Sequence, residues 1–137
     1  MKHTLLIITA LMLVVGCSES DAQQKVITVT ETYGNAVPKI IKTYKESNDK
    51  FELVKWISLY ENGQKKYEKT YKDGEKDGKW TWWHMNGQKW YEETYKDGKK
   101  DGKLTLWFNH GPKRLEGTWK DGELIRTTWW DEDGNEF

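Results

Sequence analysis

Residues 65–72 alternate: Tyr67, Lys69 and Tyr71 interleave with Glu68 and Thr70. A period of two sends successive side chains to opposite faces, the pattern of a β-strand with one wetter side. Runs of similar strand composition follow at 79–85, 89–96, 103–109 and 114–120, separated by glycine-bearing joins. The joins are mostly Asn-Gly or Asp-Gly, where both turn positions tolerate positive φ, and such dipeptides between strand-like runs are strong hairpin signals. The turn formers expected on this basis are Gly63, Gly74, Gly78, Gly87, Gly98, Gly102, Gly111 and Gly122. Upstream, residues 26–33, 39–45 and 51–60 read as three further strands, with Gly34-Asn35 turning the first into the second. No helix is expected in this region.

The hairpins repeat. Asn62-Gly63 returns as Asn86-Gly87, and Lys72-Asp73-Gly74 returns as Lys96-Asp97-Gly98 and Lys120-Asp121-Gly122, each at a step of 24. Asp77-Gly78-Lys79 returns as Asp101-Gly102-Lys103, while Ile125-Arg126 stands where a third copy of that Asp-Gly is due. Trp56 precedes Trp80 by the same 24, so residues 26–54 read as a degenerate capping repeat ahead of repeats over 55–137. A fixed period of this length marks a repeat array, whose end units diverge because each has one neighbour. The expected fold is all-β: a single-layer antiparallel meander of tandem 24-residue β-hairpins.

Composition says what covers such a sheet. From Lys55 onward there are sixteen aromatic residues and only seven Leu, Ile and Val, so the packing is done by rings. Trp80, Trp82 and His84 are expected on one face, with Thr81, Trp83 and Met85 on the other. Without a covering helix, lysine and glutamate stems must lie across the rings and shield them. The chain has 22 basic and 22 acidic residues, which offers no net field to draw in nucleic acid.

The N-terminus reads as an address. A basic start at Lys2 and His3 leads into an almost wholly apolar run at 4–15, short for a bilayer span and right for the h-region of a secretory signal. Leu13-Val14-Val15-Gly16-Cys17 resembles the lipobox of bacterial lipoproteins, and Cys17 is the chain's only cysteine. That resemblance implies a signal peptide over 1–16, lipidation of Cys17, a polar tether over 17–25 and a lipid-anchored place in the bacterial cell envelope. The competing reading is an ordinary secretory signal cleaved after Ser20-Asp21-Ala22.

The units 67–80 and 115–122, with Asn-Gly-Gln-Lys, Lys-Asp-Gly and Gly-Lys-Trp signatures in phase, resemble MORN repeats. More narrowly they are similar to the variant repeats of bacterial YwqK-family proteins over about residues 55–134. This resemblance implies a non-catalytic hairpin array and a role as the antitoxin of a toxin–antitoxin pair; on a lipoprotein, that role becomes immunity at the envelope.

Candidate chemistry is sparse. His84 falls in the slot of Tyr60 and Phe108, and His110 falls in that of the turn residue Asn86. No Ser-His-Asp or Cys-His set can be assembled around them, so neither catalytic residues nor a cofactor are expected. Asp131 to Asn135 hints at a calcium loop but lacks the closing glutamate of an EF-hand, and no metal site is expected. Trp82, Trp83, Trp90, Trp107, Trp119 and Trp130 are the candidate anchors for a protein partner such as a toxin, tryptophan being a common interface anchor. Glycan or cell-wall binding is the alternative, since tandem aromatic hairpins also resemble choline-binding repeats, although the Gly-Trp start of those repeats is absent. Membrane contact is expected through the lipid anchor only.

Overall fold

Two kinds of bend, each written in a short sequence, fold the chain back on itself. In a computed structural model describing residues 7–9, 26–47 and 49–137, Asp73-Gly74, Asp97-Gly98 and Asp121-Gly122 all have positive φ at both positions, with aspartate at 51°, 46° and 50°. That is the type I′ geometry, whose twist matches the strands it joins. The second bend spans five residues. Tyr60 N–H donates to Gln64 O (2.8 Å), Gly63 N–H donates to Tyr60 O (2.9 Å), and Asn62 Oδ1 accepts from Gln64 N (3.0 Å). The backbone pattern recurs at 33–37, 84–88, 108–112 and 131–135.

These bends alternate along an antiparallel sheet: β1 (Ile7–Thr9), β2 (Val26–Thr32), β3 (Pro38–Ser47), β4 (Lys50–Leu59), β5 (Lys65–Lys72), β6 (Glu75–Lys76), β7 (Gly78–Trp83), β8 (Lys89–Lys96), β9 (Lys99–Trp107), β10 (Lys113–Lys120) and β11 (Glu123–Trp129). Each strand lies beside its neighbour in sequence, and the short β6 pairs with β5 just before β7 takes over that edge. The fold is therefore the expected meander of hairpins. β1 lies within the segment expected to be a signal peptide and pairs with Thr28–Thr30; Cys17 and the tether at 17–25 fall outside the described residues.

Two of the expected turn formers do something else. Gly78 and Gly102 sit inside strands, because the type I′ bend at Asp73-Gly74 or Asp97-Gly98 has already reversed the chain. The returning strands consequently begin earlier than 79 and 103, with β6 at Glu75 and β9 at Lys99. Each glycine belongs to a bulge in which Asp77-Gly78 or Asp101-Gly102 are the extra residues: Tyr71 faces Lys76 and Tyr95 faces Lys100 across it. The tightness of the bulge calls for glycine. A Cβ on Gly78 (φ 83°) would come 2.7 Å from Thr70 Oγ1, and one on Gly102 (φ 116°) would come 3.1 Å from Thr94 Cβ. In the end units the corresponding bulge holds one extra residue, Val54 or Ile125, and needs no glycine.

The wide bulges also tie one repeat to the next. Gly98 N–H donates to Lys76 O (2.9 Å) and Gly122 N–H to Lys100 O (2.8 Å), so these two type I′ bends seat on the preceding bulges. Asp101 Oδ2 accepts from Lys120 Nζ at 2.8 Å on the same edge. At the opposite edge, Tyr60 OH donates to Trp83 O (3.0 Å) and Asn62 Nδ2 to Met85 O (3.0 Å).

Buried apolar side chains gather in the middle of the sheet at Trp80, Tyr95, Leu104 and Leu115. No helix or second sheet covers either face among the described residues.

Candidate functional site

With both faces open, the surfaces available for recognition are the faces themselves, and the register gives them different chemistry. One face carries rings. Tyr67 pairs with Trp82 and Trp82 with Tyr91, and alternation adds Trp56, Tyr71, Trp80, Tyr95 and Trp119 to the same side. Trp82 and Tyr91 meet edge to face at 5.0 Å, and Trp80 lies 5.3 Å from both Tyr71 and Tyr95. Lys69 Nζ stands 4.6 Å from the Tyr67 ring and 4.7 Å from that of Trp80, while Lys76 Nζ is 4.4 Å from Trp80. These lysines shield the aromatic surface, as expected for a sheet without a covering layer. Burial, then the neighbouring Lys76, push the Lys69 ammonium below its ordinary range, and Glu93 partly offsets them.

Glu93 is the unexpected member of this face. It takes the slot that Lys69 holds one repeat earlier and Gly117 one repeat later, and it is only 5% exposed. Its carboxylate accepts from Tyr91 OH (2.5 Å) and Tyr95 OH (2.6 Å) and pairs with Lys100 Nζ (3.1 Å). Burial alone would raise its pKa, but the two phenols and the ammonium outweigh burial and hold the carboxyl below its ordinary value. Burial and this carboxylate in turn push the Tyr91 and Tyr95 phenols up. The charge is thus fixed by three donors, which is what a buried carboxylate needs. A 24-residue comparison of Lys69, Glu93 and Gly117 was the available sequence signal for it.

The other face is ionic. Glu68, Thr81, Glu92, Thr105, Glu116 and Thr128 form one row across six strands. Each glutamate sits between two lysines: Glu68 with Lys55 (3.1 Å) and Lys65 (2.5 Å), Glu92 with Lys79 (3.0 Å) and Lys89 (2.6 Å), Glu116 with Lys103 (3.1 Å) and Lys113 (2.8 Å). The glutamate side chains are 16–21% exposed and the lysines 42–69%, so the carboxylates are tucked under exposed ammoniums. For Glu68 and Glu92 burial opposes ionisation and the lysines overcome it; for Glu116 the lysine bonds dominate. All three carboxyls lie below their ordinary value.

The six tryptophans singled out in the sequence divide between these surfaces. Trp82 and Trp119 belong to the aromatic face. Trp83, Trp107 and Trp130 form a half-buried row beside the ionic triads, with Lys65, Lys89 and Lys113 standing 5.3, 5.8 and 5.8 Å from their ring centres. Trp90 is the extra residue of a bulge near the 84–88 bend and packs against His84 and Tyr91.

Groups that could suggest chemistry are engaged structurally. Ser58 is buried and donates to Lys39 O (3.2 Å), His84 packs on Trp90, and His110 stacks on Phe108 at 5.6 Å. No cluster of three metal-ligating side chains exists among the described residues. An open cleft lined by Phe108, Arg114, Trp130 and Phe137 lies beside the last bend. Fold and faces together define a single-sheet hairpin-repeat protein. No family model, curated protein or solved structure matches the chain.

Proposed function

We propose that this chain is a non-catalytic repeat scaffold, lipid-anchored through Cys17 in the bacterial cell envelope, whose aromatic face binds a protein partner. In this reading the protein acts as an antitoxin or immunity protein of the YwqK-like kind suggested by its MORN-like signatures. The uncovered aromatic face carries the proposal: half-buried Trp82, Tyr91 and Trp119 there and exposed Trp129 at the end of β11 are suited to anchoring a partner. Processing at Cys17 would remove β1 and leave the sheet intact from β2 onward.

The test uses the full chain as bait on envelope extracts and on the product of any adjacent toxin-like reading frame, in parallel with the Trp82→Ala and Trp119→Ala variants. One protein retained in stoichiometric amount by the parent and at least about tenfold less by folded variants is the expected result. Equal retention by the variants would remove the aromatic face from the proposal. Absence of any retained protein would remove the scaffold reading itself. Radiolabelled palmitate incorporation, lost in Cys17→Ser, checks the anchor separately.

A further inference from the structure

Seen along the ionic face, each repeat offers the same small constellation: an indole, an ammonium beside it, a tucked carboxylate and a second ammonium. The three copies are Trp83 with Lys65, Glu68 and Lys55; Trp107 with Lys89, Glu92 and Lys79; and Trp130 with Lys113, Glu116 and Lys103. Each copy has a surplus of one positive charge, and that charge is the exposed part. The acidic residues that balance the chain lie mostly off this face, among them Asp73, Asp97, Asp121 and Glu123 at the type I′ bends, where Lys72, Lys96 and Lys120 accompany them. A chain of zero formal charge therefore presents a positive ionic face; the aromatic face also carries lysines, but these are laid over its rings or paired with Glu93.

Copies recur every second strand, a step of about 10 Å given a strand spacing of about 4.8 Å. We propose that this face is a docking track for an extended acidic polysaccharide with one carboxylate per disaccharide. A β-linked disaccharide has an extended length close to this step. Its sugar ring presents C–H groups that can pack on an indole, while its carboxylate meets the adjoining ammonium. An extended peptide repeats a same-side carboxylate about every 7 Å and falls out of step with the lysines. Charge complementarity, the row of indoles and the repeat distance thus select the same occupant. This inference is independent of the protein-partner proposal, which uses the opposite face.

The test titrates the full chain with hyaluronan oligosaccharides of increasing length, which alternate a uronate with a neutral amino sugar. Affinity is expected to rise about tenfold or more between one and three disaccharides and then level off, as successive copies are engaged on one molecule. It should weaken at least about threefold when salt is raised from about 0.05 to 0.3 M, because the exposed ammoniums become screened. Trp107→Ala should cost about tenfold. Combined Lys65→Gln, Lys89→Gln and Lys113→Gln, which leaves each glutamate its other lysine, should cost about fivefold and flatten the salt dependence. Thermal melts establish that both variants are folded, and Trp119→Ala on the opposite face should leave the affinity unchanged. Equal binding of neutral chito-oligosaccharides, tighter binding of poly-glutamate or of anionic lipid vesicles, length-independent affinity, or no binding by the parent would each overturn the proposal.

Discussion

Trp56 and Trp80 occupy equivalent positions 24 residues apart, and their surroundings differ. Trp80 is 7% exposed, lies between Tyr71 and Tyr95, and donates its indole N–H to Thr70 O at 2.9 Å. Trp56 is half-buried, meets Tyr67 at 5.8 Å and Lys42 at 4.6 Å, and its buried Nε1 has no hydrogen-bond partner among the described residues. The strands on both sides of Trp80 carry the repeat and supply rings; one of the strands beside Trp56 belongs to the degenerate unit and supplies lysine. A core of this kind is therefore a property of adjacent repeats, as nearest-neighbour stabilisation of an array requires. Possessing the tryptophan is not enough.

Truncation should expose the contrast most strongly. Trp80→Ala is expected to cost about 3–5 kcal/mol in urea unfolding, and Trp56→Ala less than half of that. Equal losses would mean that the first unit shares the core. Glu93→Leu comes next, at about 2–3 kcal/mol, since it leaves two phenols and an ammonium without their acceptor.

The pH profile sharpens the same comparison. Glu68, Glu92, Glu93 and Glu116 all have folded-state pKa values below their ordinary ones. Their contribution is present above the unfolded value of about 4.3 and is lost as pH falls through the lower folded values. Urea midpoints should accordingly drop below about pH 4, and Glu93→Gln should make that drop shallower. At the alkaline end the sign reverses. The phenols of Tyr91 and Tyr95 titrate above their ordinary value in the fold, so stability should fall as pH rises past about 10, where the unfolded chain loses those protons first.

Smaller effects separate inner bulges from end bulges. Gly78→Ala should cost about 1–2 kcal/mol through positive φ and the crowding at Thr70, whereas Val54→Gly in the one-residue bulge should cost under about 1 kcal/mol. Glu116→Gln, on the exposed ionic face, should change stability by only about 0.5 kcal/mol, and less at high salt. Urea titrations of each variant provide the check.

The hairpins were legible because their turn residues and alternation act locally: 65–72 and 89–96 are the spans of β5 and β8. Gly78 and Gly102 read as turn formers because Asp-Gly looks the same in a bend and in a bulge; what separates them is the preceding Asp-Gly four residues earlier, which has already turned the chain. The opposition of Trp82 to Trp83 followed from alternation. The clustering of Trp83, Trp107 and Trp130 beside the lysine triads depends on pairing register, including the shorter step from Trp107 to Trp130. Composition also concealed the lysine excess of the ionic face, since a zero sum carries no information about how charges are distributed between the sheet and its bends.

The one-residue bulge at Ile125 has a consequence for the company this molecule keeps. A protein made of near-copies of one hairpin risks exchanging hairpins with its own siblings, or accreting them along an open edge. Within the array, the Asp97-Gly98 and Asp121-Gly122 bends each hydrogen-bond to a widened bulge, at Lys76 and Lys100, whereas the Asp73-Gly74 hairpin lies beside the narrow bulge of β4 at Val54. β11 presents a narrow bulge with isoleucine in it and no aspartate. A stray hairpin added there would lack the backbone hydrogen bond that fastens the Gly98 and Gly122 bends to their neighbours. One missing residue thus takes away a fastening point that another copy of the molecule could otherwise use at the open edge.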